Sequence, residues 1–280
     1  MAVVTSPTVR ARRLALELQR LRERSGLGQA EAARRLGWSR SKLSRIEDAA
    51  TRPADDDVQA LLQLYGLEPD RHDALRHLNQ DSWQRGWWTA FGDAFTGNYP
   101  MLEDQAPEIF AYEIALIPGL LQTPDYARTL IRAVRDGDEK DLDRLVAARM
   151  ARKAVLERVT PPRLHLVINE AAFHQVVGDA CVMRKQTSEV WSHAVERSNV
   201  TIQILPFTAS RPFGLESSFT LFAFPEDHGL DVGHSEGLLG EWYAESSGQL
   251  TQIRVAFDHV RQAALSPEES IAWLAARTRE

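Results

Sequence analysis

Leu27-Gly28-Gln29-Ala30-Glu31-Ala32-Ala33-Arg34-Arg35-Leu36-Gly37-Trp38-Ser39-Arg40-Ser41-Lys42-Leu43-Ser44-Arg45-Ile46-Glu47 decides how this chain is read. Gln29 to Leu36 is rich in Ala and Arg and reads as a short helix, closed by Gly37, which tolerates positive φ. Ser39 is a good N-cap, and Arg40 to Glu47 follows as a second helix with Leu43 and Ile46 turned inward. Two helices joined by so short a turn cross steeply, which demands small or aliphatic facing residues. Ala30, Ala33 and Leu36 are assigned to that surface. The outward face then carries Arg40, Ser41, Ser44 and Arg45, whose donors and acceptors suit base edges in a DNA major groove.

Working outward, residues 1–8 read as a flexible arm. Residues 9–24 read as a helix, with Leu14, Leu16, Leu18 and Leu21 in an Arg/Glu-rich run that Gly26 ends. Thr51-Arg52-Pro53 breaks the chain, and Asp55, Asp56 and Asp57 open a helix that runs to Tyr65, where their charge suits the helix dipole. Pro69 to about Asn79 completes a mainly α domain of five helices over residues 9–80. The net charge of −6 is unevenly spread: Val9 to Ile46 holds eleven Lys/Arg against three acidic residues, so that segment is +8 and the rest −14. A basic segment on an acidic chain is the footprint of a nucleic-acid module joined to something with another role.

The quoted stretch, continued through Arg52-Pro53, resembles the Xre/Cro, phage-repressor type of helix-turn-helix. The resemblance implies that Gln29 binds a phosphate and that Arg40, Ser41 and Arg45 read bases. It places Lys42 and Ser44 near phosphates or bases, and Ser39, at the head of the same helix, is counted with these DNA-binding residues. It also implies a structural ion pair between Arg22 and Glu47. Ala32 departs from the pattern, which commonly has Leu there. One such module buries roughly 600–1,000 Å² on DNA, little for tight specific binding. A homodimer reading two half-sites of double-stranded DNA about 34 Å apart is therefore expected.

Composition shifts near residues 80–90, around Trp83-Gln84-Arg85-Gly86-Trp87-Trp88, and residues 81–280 read as a second domain. Helices are expected at Leu102–Ala115, Pro124–Val134, Leu142–Val159, Glu170–Val177, Arg184–Ser198, Leu250–Leu265 and Pro267–Arg279. Strands are expected at Leu164–Ile168, Val200–Leu205 and Phe219–Phe224, with edge strands at 229–236 and 241–243. This is an α/β or α+β domain with a small sheet of three to five strands. Ile117-Pro118-Gly119-Leu120-Leu121-Gln122-Thr123-Pro124 reads as a turn with docked leucines, or as a recognition loop, before a helix capped by Thr123. Trp87 and Trp88 either line a pocket or fill a core.

That loop, with Ala148-Arg149-Met150-Ala151-Arg152, Asn169-Glu170-Ala171-Ala172, Ile204-Leu205-Pro206-Phe207 and Ala264-Leu265-Ser266-Pro267-Glu268-Glu269-Ser270, resembles the C-terminal domain of WhiJ-like actinobacterial regulators. The resemblance covers essentially the whole chain. It implies that residues 90–280 bind a small protein encoded by a neighbouring gene, or an effector. Two alternatives stay open: an antitoxin that sequesters a toxin-like partner and autoregulates, and an effector-gated or catalytic C-terminal domain.

Several classes are disfavoured. There is no nucleophile elbow, HExxH, phosphate-cradling glycine loop or CxxC pair, so no enzyme, catalytic residue or cofactor is expected. Glu170 and His174 share a helix face but lack a third ligand, and no metal site is expected. The single cysteine, Cys181, reads as a buried thiol in a reducing compartment. No apolar run approaches the roughly 20 residues of a membrane span, and the N-terminus lacks a secretory pattern, which points to the cytoplasm.

Overall fold

The structure, a computed structural model, describes residues 9–81, 87–95, 98–135, 137–209, 217–224, 231–237 and 240–278. The arm at residues 1–8 lies outside them, as does part of the strand expected at 229–236. The chain divides into two compact units, Met1–Thr89 and Ala90–Glu280.

The first unit is five helices: α1 (Val9–Arg24), α2 (Gln29–Arg35), α3 (Arg40–Glu47), α4 (Asp55–Leu64) and α5 (Pro69–Asp81). Leu14 and Leu18 of α1, Ala32 and Ala33 of α2, Leu43 and Ile46 of α3, and Val58, Leu61 and Leu62 of α4 form one buried core. Ala30 was assigned to the helix-facing surface, but it is exposed and Ala32 is buried in its place. With a rotation of roughly 100° per residue, the buried stripe of α2 centres on positions 29, 32, 33 and 36, and position 30 lies well off it.

Helices α1 to α4 all end alike. The residue after each C-cap adopts positive φ, and the next amide reaches back to close a Schellman turn, as in Trp38 N–H to Ala33 O (2.8 Å) and Leu67 N–H to Leu62 O (3.1 Å). Three of these positions are glycine, and a Cβ there would meet nothing within 4 Å. The fourth is Ala49 (φ 54°), whose buried methyl packs with Ala11 and Ala15 of α1. Side-chain contact there offsets a backbone cost of roughly 1–2 kcal/mol.

The second unit carries a six-stranded mixed sheet of order β3-β2-β1-β4-β5-β6. Its strands are β1 (Glu108–Glu113), β2 (Arg163–Asn169), β3 (Val200–Leu205), β4 (Phe219–Ala223), β5 (Val232–Gly237) and β6 (Gly240–Ala244). Strands β1, β2 and β3 are parallel, and β4, β5 and β6 continue antiparallel from β1. The helices are α6 (Tyr99–Gln105), α7 (Pro124–Val134), α8 (Glu139–Ala151), α9 (Ala171–His174), α10 (Ala180–Glu196), α11 (Ser247–Ala263) and α12 (Pro267–Arg277). Leu250, Phe257 and Val260 of α11 cover one sheet face, formed by Tyr112, Val167, Leu205, Leu221 and Ala223. The outer edge of β3 is sealed by the chain's end: Ile204 N–H donates to Ser270 Oγ (2.9 Å) and Leu265 N–H to Ile204 O (2.9 Å).

Five expectations for this unit are corrected. The helix expected at Leu102–Ala115 ends at Gln105, because Pro107 disfavours helical backbone at Ala106, and β1 follows it. Since β1 is the strand that joins the parallel and antiparallel halves, the sheet has six strands where three to five were expected. The helix expected at Leu142–Val159 tightens into a 3-10 segment at Arg152–Glu157, and that at Glu170–Val177 shrinks to four residues before Gly178 (φ 77°). Cys181 is exposed, because it lies in the first turn of α10 beside its N-cap Asp179.

Trp87 and Trp88 begin a 3-10 segment, half-buried, with ring centroids 6.0 Å apart edge to face. Among the described residues no helix is long and apolar enough to cross a membrane. We predict that Gly66→Ala lowers unfolding stability by about 1–2 kcal/mol in urea melts, through strain alone. Ala49→Gly should shift stability by less than about 1 kcal/mol, because relief of strain is offset by the lost methyl contact.

Candidate nucleic-acid interface

The interface is built from α2, the Gly37 turn and α3. Ser39 opens α3 by accepting a hydrogen bond from Lys42 N–H (3.1 Å), so its hydroxyl is committed to capping. Leu43 and Ile46 seat the helix in the core, which turns Arg40, Ser41 and Arg45 out into solvent, with Ser44 half-buried beside them.

The inner end of α3 is anchored by a buried ion pair. Arg22 Nε donates to Glu47 Oε1 at 2.7 Å and Nη2 to Oε2 at 3.1 Å, while Nη1 holds Leu27 O at 2.9 Å. Arg22 and Glu47 are only 8% and 9% exposed. The hydrogen bond and charge of Glu47 outweigh burial and keep the Arg22 guanidinium above its ordinary pKa. Gln29 Nε2 also donates to Glu47 Oε2 (3.1 Å), tying the start of α2 to the end of α3. Tyr65 packs nearby, and its buried hydroxyl has no hydrogen-bond partner among the described residues.

The other expected DNA-binding residues differ in how freely they are held. Among the described residues, Ser41 and Arg45 have no side-chain hydrogen bond, which leaves their donors available to a ligand. Arg40 makes only a long contact to Gln29 Oε1 (3.5 Å). Lys42 is committed: its Nζ donates to Asp57 Oδ1 (2.7 Å) and lies 3.9 Å from the centre of the Trp38 ring. Ser44 Oγ donates to Asp48 Oδ2 (3.0 Å). The sequence assigns Asp57 only a helix-dipole role and Asp48 and Trp38 none, because their contacts to α3 depend on where α4 and the turn lie relative to it. Nearby, Asp55 accepts from Gln80 (3.0 Å) and Asn79 (2.7 Å), and these bonds hold its carboxyl below the usual range.

In the second unit, Glu170 and His174 do approach each other, with Oε1 to Nε2 at 3.2 Å. Arg277 Nη2 contacts both, at 3.1 and 3.3 Å, so a guanidinium occupies the place a metal would need. Among the described residues no group of three metal-ligating side chains occurs.

A short helix crossing another through a glycine turn, pinned from within and exposing arginines, defines a helix-turn-helix DNA-binding regulator. Residues 13–75 match the family described as helix-turn-helix domain. Residues 96–276, more than half of the chain, match the one described as domain of unknown function (DUF5753), and the chain belongs to that family. Comparison with curated proteins and with solved structures gives no match. We predict that Glu47→Ala, which strands the Arg22 charge, destabilises the first unit by about 3–5 kcal/mol in chemical denaturation. The double variant Arg22→Met/Glu47→Leu should recover most of that loss.

Proposed function

We propose that the chain is a cytoplasmic, sequence-specific transcriptional regulator of the Xre/Cro type, that it binds operator DNA as a homodimer, and that its second unit receives the controlling signal. Arg40, Ser41 and Arg45 read bases, and Gln29 holds a phosphate at the start of α2. The observation that carries this reading is the outer face of α3: two exposed arginines and a serine on a helix whose inner face is fixed in the core and whose end is tied to Arg22. A rigid helix with uncommitted donors loses little freedom on binding, so bidentate arginine–guanine contacts keep their roughly 1–3 kcal/mol of discrimination.

Ser39 and Lys42 take lesser parts. Ser39 acts through the cap, and Lys42 reaches phosphate only on leaving Asp57. The resemblance of the second unit to WhiJ-like regulators supports a small protein partner or an effector as its ligand, and a non-enzymatic role fits the absence of catalytic motifs from the sequence.

The test is fluorescence anisotropy on a selected operator. Arg40→Ala should weaken binding by about 5–150-fold and relax preference at one base position. Gln29→Ala should weaken all sequences alike and leave the salt dependence of binding unchanged, because the amide carries no charge. Wild-type affinity and selectivity in both variants would refute this assignment.

A further inference from the structure

On the sheet face turned away from α11, the strand register sets Ala111, Thr220 and His234 in one row across β1, β4 and β5. Glu113 lies two residues further along β1 on the same face. Tyr99 and Glu103 of α6, the Gly119 loop, and Arg149 and Arg152 close over this row. Tyr99 is the hub, with its ring 4.7 Å from that of His234, its hydroxyl 3.4 Å from Thr220 Oγ1, and the Arg152 guanidinium 5.2 Å from its centre.

Several polar groups here have hydrogen-bonding capacity unmet among the described residues, His234 buried and Arg149 and Arg152 half-buried. Arg152 commits Nε and Nη2 to Glu103, both at 2.8 Å. Its Nη1 has no acceptor among the described residues and lies against Gly119, where a Cβ would come within 2.9 Å. Arg149 donates to Gln122 Oε1 (3.0 Å), a neutral partner, and makes no ion pair among the described residues. Burial, then the like charge of Arg152, holds its guanidinium down to about 10. His234 is 5% exposed and its Nε2 has no partner among the described residues. Burial, then the Arg152 charge, pulls its imidazole down to about 4. Stability alone does not explain this set, since a desolvated charge beside a like charge is costly.

We propose that this cluster binds a small effector through an oxyanion, a carboxylate or a phosphate, gripped by Arg149 and the Nη1 edge of Arg152 with His234 behind Tyr99. Arg152 is paired with Glu103, whereas Arg149 holds only the neutral Gln122 with Glu113 and Glu236 acting on the pair from further off, so the free N–H groups of the two guanidiniums are what an oxyanion would take up. The planar forks of arginine match an oxyanion in geometry as well as charge. Glu113 can assist, because burial pushes its carboxyl up to about 7 against the pull of Ser218 and Arg152, and in its protonated form it donates to the anion. Gly119 keeps the loop backbone close enough to shape the grip. The inference rests on the reading of the second unit as effector-binding and is independent of DNA contact.

The test uses the full chain without DNA, titrated separately with succinate, inorganic phosphate and a panel of neutral metabolites at constant ionic strength in chloride. One anion should bind saturably by calorimetry and raise Tm by about 5 °C near 100-fold excess over Kd. Arg149→Gln, which keeps an amide beside Gln122, should lower affinity more than 10-fold while the ligand-free Tm stays level or rises. His234→Phe, which keeps the stack on Tyr99, should lower affinity severalfold and serves if the first variant does not fold. Binding of neither anion, or binding unchanged in these variants, overturns the oxyanion site. A response to neutral metabolites alone also overturns it, while leaving the effector reading in place.

Discussion

The bond between Arg22 and Glu47 is the constraint from which the first unit takes its orientation. Three of its ends matter: Glu47 is the last residue of α3, Arg22 is in the last turn of α1 and also holds Leu27 O, and Gln29 joins from the first residue of α2. Two charges this far from water are stable only as a pair, so the ends of three helices are fixed relative to one another. Leu43 and Ile46 then set the rotation of α3, and the face that remains in solvent is the one bearing Arg40, Ser41 and Arg45. Recognition on this account is a by-product of how the helix is held.

The charges around that face are organised, not merely abundant. Arg34 and Arg35 share the single carboxylate of Glu31 (2.7 and 2.8 Å), and Lys42 is paired with Asp57. Among the described residues Arg40 and Arg45 of α3 make no ion pair, and the exposed pairs themselves add little stability. In the second unit the logic is reversed: charge is drawn partly out of water, with buried Glu103 paired to half-buried Arg152 and Arg149 beside them. An exposed arginine face suits a polyanion met from solvent, and a half-buried arginine cluster suits a small ligand that leaves solvent.

Much of the first unit was legible in the sequence because its signals are local. The glycines after α1, α2 and α4, the Ser39 cap and the spacing of Leu43 and Ile46 each act within one turn of chain, and all five helices stand where the sequence put them. The Arg22–Glu47 contact came from resemblance, and the structure places the two groups 2.7 Å apart. Ala30 was misassigned because alanine carries no polarity signal to distinguish a buried face from an exposed one. In the second unit β1 was lost, since Glu108–Glu113 lies centrally in the sheet and shows no clean alternation, while the residues before it favour helix. The Arg149, Arg152 and His234 cluster was illegible, because its members lie on separate elements and meet only when the sheet is formed.

The most direct test of the central claim, that α3 reads bases from its arginine face, is selection of bound sequences from random duplex DNA by the purified chain, repeated across a salt series. The account predicts enrichment of an inverted pair of guanine-containing half-sites about one helical turn apart, with affinity falling steeply as salt rises. Recovery of no common sequence, together with affinity that does not respond to salt, would contradict it.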